Sequence, residues 1–216
     1  MKVVIFGERN FASLAWYVLT HDSPHQVVGF AVDRSYRKAD RLHDLPVIDF
    51  EAMRERFSPG DCSLLIPMGW AGMNAVRAHR YAQGKAWGYT FATYVSSRAL
   101  VWPDLQAGEN CMIFEGANIQ PFARVGNNCI VRSGSVVSHH VRVGDHCFIA
   151  GQATIGGSAT VGERCVIGLN STVRDGVSVA RGCFVAAGAV VVADTEEHGL
   201  YMGVPATRQV RPPDEL

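Results

Sequence analysis

The chain has 216 residues, of which 48% are apolar and 19% charged. That is enough for one large domain or two small ones, and the balance excludes a disordered chain. Its 20 basic and 20 acidic side chains cancel, so nucleic acid and anionic membrane are not expected partners. The opening Met1–Gly7 segment holds an apolar run too short for a signal peptide or a membrane span, which makes the cytoplasm the default location.

From the start of the chain, short apolar runs alternate with helix-like stretches. Lys2–Phe6 reads as a buried strand. Residues 10–20 read as a helix, with Phe11, Leu14, Ala15 and Val18 at helical spacing. Residues 26–32 form a second strand ending at Asp33-Arg34. Asp49 stands where it would cap a short helix over 50–57, and 63–67 reads as another strand. A helix over 73–83 is expected to stop at Gly84. Strand and helix in alternation imply a parallel sheet with crossover helices, hence a Rossmann-like α/β domain over residues 1–98.

The grammar changes at Val101. An aliphatic residue then opens every sixth position, from Val101 and Ala107 through Ile113, Ile119 and Val125 to Val185 and Val191. Ordinary strands do not sustain period six over some ninety residues, whereas a solenoid does. Cys111, Cys129, Cys147, Cys165 and Cys183 are each 18 positions apart. Three six-residue sides make one triangular turn, so the five thiols should superimpose on coils about 4.8 Å apart. They read as a column of small core residues rather than a metal or redox ladder, because a column one residue wide offers no tetrahedral geometry. Cys62 lies outside the pattern.

The residue before each opener should face outwards. On the cysteine-bearing side these are Met112, Ile130, Phe148, Val166 and Phe184, all apolar, whereas the other two sides are mixed or polar. A soluble monomer rarely leaves such a stripe wet. We read it as a subunit contact in a closed ring; cover by the C-terminal segment or by the first domain is the alternative.

The unbroken array resembles the left-handed β-helix acyltransferases of the hexapeptide-repeat superfamily. More narrowly, the chain is similar to bacterial nucleotide-sugar acetyltransferases such as the UDP-4-amino-sugar N-acetyltransferases of bacillosamine synthesis and the sialic acid O-acetyltransferases. The resemblance is carried by Val137-Ser138-His139-His140-Val141-Arg142-Val143-Gly144-Asp145, by Ile167-Gly168-Leu169-Asn170-Ser171, and by Gly203-Val204-Pro205-Ala206. It implies an all-β left-handed parallel β-helix over 99–216, with a C-terminal extension, assembled as a homotrimer. The implied reaction moves an acetyl group from acetyl-CoA to the amine of a nucleotide-linked amino sugar, with no metal.

The resemblance makes His139 the general base, which takes the proton that the attacking amine must lose. By register His139 stacks between Pro121 and Gly157. His140 takes the place where the family has a carboxylate, so Asp145, or an acidic residue of another subunit, is a candidate substitute. Phe148 replaces a second family histidine, and His146 is a candidate for that role. For the donor, Gly157, Leu169, Asn170, Ala187 and Gly188 match the coenzyme A positions; Arg208 and Arg211 are candidate phosphate ligands. For the acceptor, the loop from Gly7 carries Arg9 and Asn10 as candidate donors in place of further glycines, although Glu8 is ill placed beside pyrophosphate. Asp33, Arg34, Gly69 and Trp70 match the remaining acceptor positions.

Three other readings stay open. A sugar O-acetyltransferase would use the same base and donor. A metal-dependent β-helix hydratase is raised by His139, His140 and His146, although adjacent corner histidines share one ion poorly. A non-catalytic scaffold would lose nothing on substitution of His139.

Overall fold

The computed structural model describes residues 1–210, so Arg211 lies outside the described residues. In chain order the first domain comprises β1 (Lys2–Phe6), α1 (Asn10–His21), β2 (Gln26–Val32), β3 (Arg41–Leu42), β4 (Leu45–Asp49), α2 (Met53–Arg56), β5 (Ser63–Leu65) and α3 (Ala75–Ala86). The sheet order is β3-β4-β2-β1-β5, parallel except for the β3–β4 hairpin. Residues of β1 alternate between the faces, as a strand demands. Val3 and Ile5 pack with Ala15 and Leu19 of α1, while Val4 and Phe6 pack with Phe50, Met53 and Phe91 on the opposite side.

Several local expectations need correction. α3 does not stop at Gly84 but runs through it to Ala86. The glycine is there for space: a Cβ would lie 2.8 Å from the Phe91 ring and 2.9 Å from Leu64. Met73 and Asn74 are in left-handed backbone, so the helix begins only at Ala75. Asp49 caps nothing; its carboxylate instead accepts from Arg34 at 2.8 Å and Arg37 at 3.2 Å. The β3–β4 hairpin was not anticipated. Its turn, His43-Asp44, takes positive φ at two non-glycine residues, which propensity alone does not announce.

The solenoid follows its period closely. From Tyr94 to Val191 each rung contributes two-residue strands, and every pairing among them joins residues 18 apart, as in Asn118↔Val136, Arg124↔Arg142 and Ile130↔Phe148. Three parallel sheets therefore form three faces. The cysteine face starts at Tyr94–Val95 and includes Met112–Ile113 through Phe184–Val185; it ends in an added hairpin, Leu200–Met202 with Thr207–Arg208. The second face runs from Leu100–Val101 to Val190–Val191, and the third from Gln106–Ala107 to Ser178–Val179. At each vertex one residue per coil is left-handed. One column is Phe122, His140, Ser158 and Gly176, and another is Gly134, Gln152, Asn170 and Gly188.

The five cysteines do stack, fully buried. The first four thiols each donate to a carbonyl 15 residues on, as Cys111 to Gly126 at 3.0 Å and Cys147 to Gly162 at 3.1 Å, and Cys183 donates to Glu196 O at 3.0 Å. Burial pushes the Cys147 thiol well above its ordinary range. Buried, hydrogen-bonded thiols of this kind are packing atoms.

The apolar stripe on the cysteine face is covered, but not by a second subunit. Met112, Ile130 and Val166 are 1% exposed because the first domain lies on them. Met112, Phe114 and Ile130 belong to the same buried cluster as α1 and the sheet. Phe11 stacks on Phe114 with centroids 6.3 Å apart, and Trp70 meets Phe184 edge-on at 5.2 Å. Each aliphatic side chain buried this way contributes about 1.5–3 kcal/mol, so the two domains form one body.

Candidate active site

Two places in the molecule offer chemistry. The first is the vertex between the second and third faces, where His139 and His140 project into solvent. His139 Nδ1 and His140 Nδ1 are 3.3 Å apart, and the rings meet at 81°. The backbone N–H of His139 donates to Gln120 Oε1 at 3.0 Å. The His139 ring lies against Gly157, where a Cβ would come within 2.5 Å of Cε1 and 2.7 Å of Nε2. His140, in left-handed backbone, packs its ring on Phe122 at 4.8 Å. Phe122 is itself 66% exposed.

The second is a cavity of about 580 Å³ at the carboxyl ends of β1, β2 and β5. Gly7, Glu8, Arg9, Phe11, Asp33, Tyr36, Met68 and Gly69 are among its lining residues. Gly7 has φ +104, and its N–H is tied to Ala31 O at 2.7 Å, which turns the chain sharply out of β1. Asp33 is held by Arg80 at 2.7 Å, and Glu8 accepts from the Lys38 backbone N–H at 2.8 Å. The second oxygen of each carboxylate is buried without a partner. The ends of parallel strands are where an open α/β sheet leaves a ligand crevice.

The sequence-derived acceptor residues divide on this cavity. Gly7, Arg9, Asp33 and Gly69 line it. Asn10 opens α1 but is exposed and outside the lining. Arg34 turns away to Asp49, and Trp70 is taken up by Phe184. The donor residues divide as well. Leu169, Asn170, Ala187 and Gly188 share the vertex between the cysteine face and the second face, joined by Gly188 N–H to Leu169 O at 2.8 Å. Gly157 lies at the other edge of the second face, against His139. Arg208, in the terminal hairpin, pairs with Glu196 at 2.7 Å on the surface.

The two proposed helpers are elsewhere. Asp145 accepts from the Asn127 backbone N–H at 2.7 Å, tying one coil to the next. His146 sits at a different vertex from His139, with Nδ1 on the Asn128 amide at 2.7 Å and its ring against Tyr81. Burial lowers the pKa of His146. Both are structural. Among the described residues, no three His, Cys, Asp or Glu side chains gather closely enough to hold a metal ion.

The element that sequence reading missed is the clamp between the domains. Arg77 of α3 is fully buried and donates to five carbonyls: Met68 (2.8 Å), Gly69 (3.0 Å), Asn128 (3.2 Å), His146 (3.0 Å) and Cys147 (3.0 Å). Asn110 and Asn128 extend the lock, since Ile66 N–H donates to Asn110 Oδ1 at 2.8 Å and Asn110 Nδ2 to Asn128 Oδ1 at 2.6 Å. The Pro67–Gly69 wall of the cavity is thereby pinned to the solenoid. An arginine on a helix facing a repeat protein gives no periodic signal; only the Asn–Asn–His column at spacing 18 hinted at it.

Comparison with known proteins places this geometry. Residues 108–139 match the model of the bacterial transferase hexapeptide (six repeats), and residues 158–193 that of the hexapeptide repeat of succinyl-transferase. No curated protein matches the sequence. Among solved structures, the chain is similar to a histidine-to-asparagine variant of perosamine N-acetyltransferase from Caulobacter crescentus, in complex with CoA and GDP-perosamine. Identity there is 25%, the TM-score 0.87, and 98% of each chain is covered. The acetyltransferase domain of PglB from Neisseria gonorrhoeae FA1090 is 20% identical with a TM-score of 0.84, covering 96% of this chain and 99% of that one. WeeI from Acinetobacter baumannii AYE is 18% identical with a TM-score of 0.77, covering 97% and 100%. The latter two show shared fold alone.

Proposed function

We propose that this chain, a member of the hexapeptide-repeat, left-handed β-helix superfamily, transfers an acetyl group from acetyl-CoA to the amino group of a nucleotide-linked amino-deoxy sugar. The observation that carries the reading is likeness along the whole chain to an N-acetyltransferase captured with CoA and GDP-perosamine. Two features of this chain support it: an exposed vertex imidazole, and a separate cavity at the carboxyl edge of a parallel sheet.

In this reading residues 1–98 are a Rossmann-like acceptor domain, with Gly7, Arg9, Asp33 and Gly69 facing the nucleotide-sugar. Residues 99–216 hold acetyl-CoA, whose pantetheine arm follows Leu169, Asn170, Ala187 and Gly188. The amine attacks the thioester carbonyl directly. His139 takes its proton and hands it to the departing thiolate, so that an amide and free coenzyme A result. General base catalysis of this kind contributes about 10²–10⁴-fold.

We read the assembly as a homotrimer, and the separation of the cavity from the vertex supports it. The acceptor cavity belongs to the domain on the cysteine face, whereas His139 is at the vertex opposite that face. One chain cannot easily present its own acceptor to its own base. In this reading a ring of copies would let the His139 vertex of one protomer serve the acceptor held by its partner.

The test is to incubate purified protein with acetyl-CoA and a panel of nucleotide-linked amino sugars, reading thiol release and product mass. An amide that survives mild base is expected. Release with no acetylated product, or an alkali-labile ester, overturns the N-acetylation reading. His139→Ala turning over at the wild-type rate removes the base.

A further inference from the structure

The vertex holds a feature the general scheme does not explain: the neighbour of the base is not an anion but a second imidazole. We propose that His140 is a positioning residue, a neutral hydrogen-bond acceptor that holds His139 in the tautomer with a bare Nε2. This rests on the assignment of His139 as base.

Two ring nitrogens 3.3 Å apart, both Nδ1, can share only one proton between them. If His139 carries it, Nδ1–H points at the lone pair of His140 Nδ1, and His139 Nε2 is left as the acceptor. A free imidazole prefers its proton on Nε2, which would leave no lone pair there for the substrate. The contact with His140 therefore selects the reactive form.

The surroundings hold the two rings in this arrangement. The His140 ring is braced by Phe122 at 4.8 Å. The His139 ring lies on Gly157, which has no side chain to obstruct it. The Gln120 contact with the His139 backbone N–H fixes the corner itself. Next to the two rings, the coil on one side contributes Gln120, Pro121 and Phe122, with Arg124 beyond them on the third face, and the coil on the other contributes Gly157 and Ser158. Asp175, further along the column, is engaged by Gly157 N–H, and Arg142 emerges on the adjoining third face.

The step keeps its balance with His140 neutral throughout. As the amine nitrogen bonds to the acetyl carbon, its proton moves to His139 Nε2, and the resulting imidazolium still donates through Nδ1 to His140. The C–S bond then breaks and the thiolate collects the proton. A second proton arriving on His140 Nδ1 removes the acceptor, so the device works only while His140 is uncharged.

The experiment compares wild type with His140→Phe, His140→Gln and His140→Glu by two readouts. The first is the ¹⁵N spectrum of the imidazoles, which needs no substrate. His139 is expected as the Nδ1–H tautomer in wild type and in His140→Gln, whose amide oxygen can accept, and as the Nε2–H tautomer in His140→Phe. The second is kinetic: His140→Phe should lower kcat about 10–100-fold with KM for acetyl-CoA unchanged. His140→Gln should recover most of that loss. His140→Glu should be active, with the acid limb of its kcat profile moved about 1–2 pH units upward by the added carboxylate. Wild-type kcat in His140→Phe, or an Nε2–H His139 in the wild-type spectrum, overturns the proposal. If no nucleotide-sugar is acetylated at all, the functional reading falls while the tautomer measurement still decides this one.

Discussion

Replacing Arg77 by methionine keeps most of the side chain's length and removes every donor. The guanidinium is fully buried and serves five carbonyls at 2.8–3.2 Å, with no carboxylate among its partners. Burial pushes its pKa down to about 10, which still leaves it charged at neutral pH. Hydrogen bonds to a charged group contribute about 1.5–3 kcal/mol each, so five set a gross ceiling of roughly 8–15 kcal/mol. Removing the charge also spares the several kcal/mol needed to desolvate it, and water can re-pair some carbonyls, which leaves a net loss of about 3–5 kcal/mol. Arg77→Lys, with three donors in place of five, should fall between wild type and Arg77→Met. Urea unfolding at matched protein concentration reads the difference. The clamp also pins the Met68–Gly69 wall, so KM for the acceptor should rise more than KM for acetyl-CoA. A loss below about 1 kcal/mol in Arg77→Met, or equal changes in both KM values, refutes the clamp.

Gly157→Ala places a methyl group 2.5 Å from the His139 ring, at a backbone conformation alanine accepts. We expect kcat to fall about 100-fold, the cost of roughly 1 Å of misplacement, with the unfolding midpoint nearly unchanged; unaltered kcat would show that the ring need not rest there. Asp22 accepts from Ser97 N–H at 3.1 Å, Tyr94 Oη at 2.7 Å and Ser96 Oγ at 2.9 Å, joining α1 to the first coil. Donors from Ser97, Tyr94 and Ser96 hold its carboxyl well below the usual carboxylate range. Because the folded value is the lower one, the stabilisation is full above about pH 4, the ordinary carboxylate value, and fades as pH falls towards the folded value. Thermal midpoints of wild type and Asp22→Asn should differ at pH 7 and converge in acid. The five column thiols are buried and hydrogen-bonded, so Ellman's reagent should reach them only in denaturant. Rapid labelling of the native protein would mean the column is open.

How much was legible follows from where each signal resides. A solenoid repeats one local environment, so the spacing of Val125, Val143 and Val161, or of Cys129, Cys147 and Cys165, encodes which atoms superimpose before any long-range contact forms. His139 and Gly157 were placed together by the same counting, whereas Gly7, Arg9, Asp33 and Gly69 came from the likeness of their loops to those of the family. Counting could say that Met112, Ile130 and Val166 face outwards as a stripe. It could not say what covers them, because both a partner subunit and the first domain offer apolar surface. That choice is made by contacts between residues far apart in sequence, Phe11 on Phe114 and Arg77 on the carbonyls of Asn128, His146 and Cys147. The same limit applied to Asp145, His146, Arg34 and Asp49. Their residue types suit catalysis, binding or capping equally well, and only their hydrogen-bond partners distinguish these roles. The sequence by itself determined the coil, its register and the vertex at which His139 stands, since these depend on local period. Only the tertiary structure decided how the first domain docks and which polar groups remain free, because a polar side chain's role is set by whichever partner the fold brings to it.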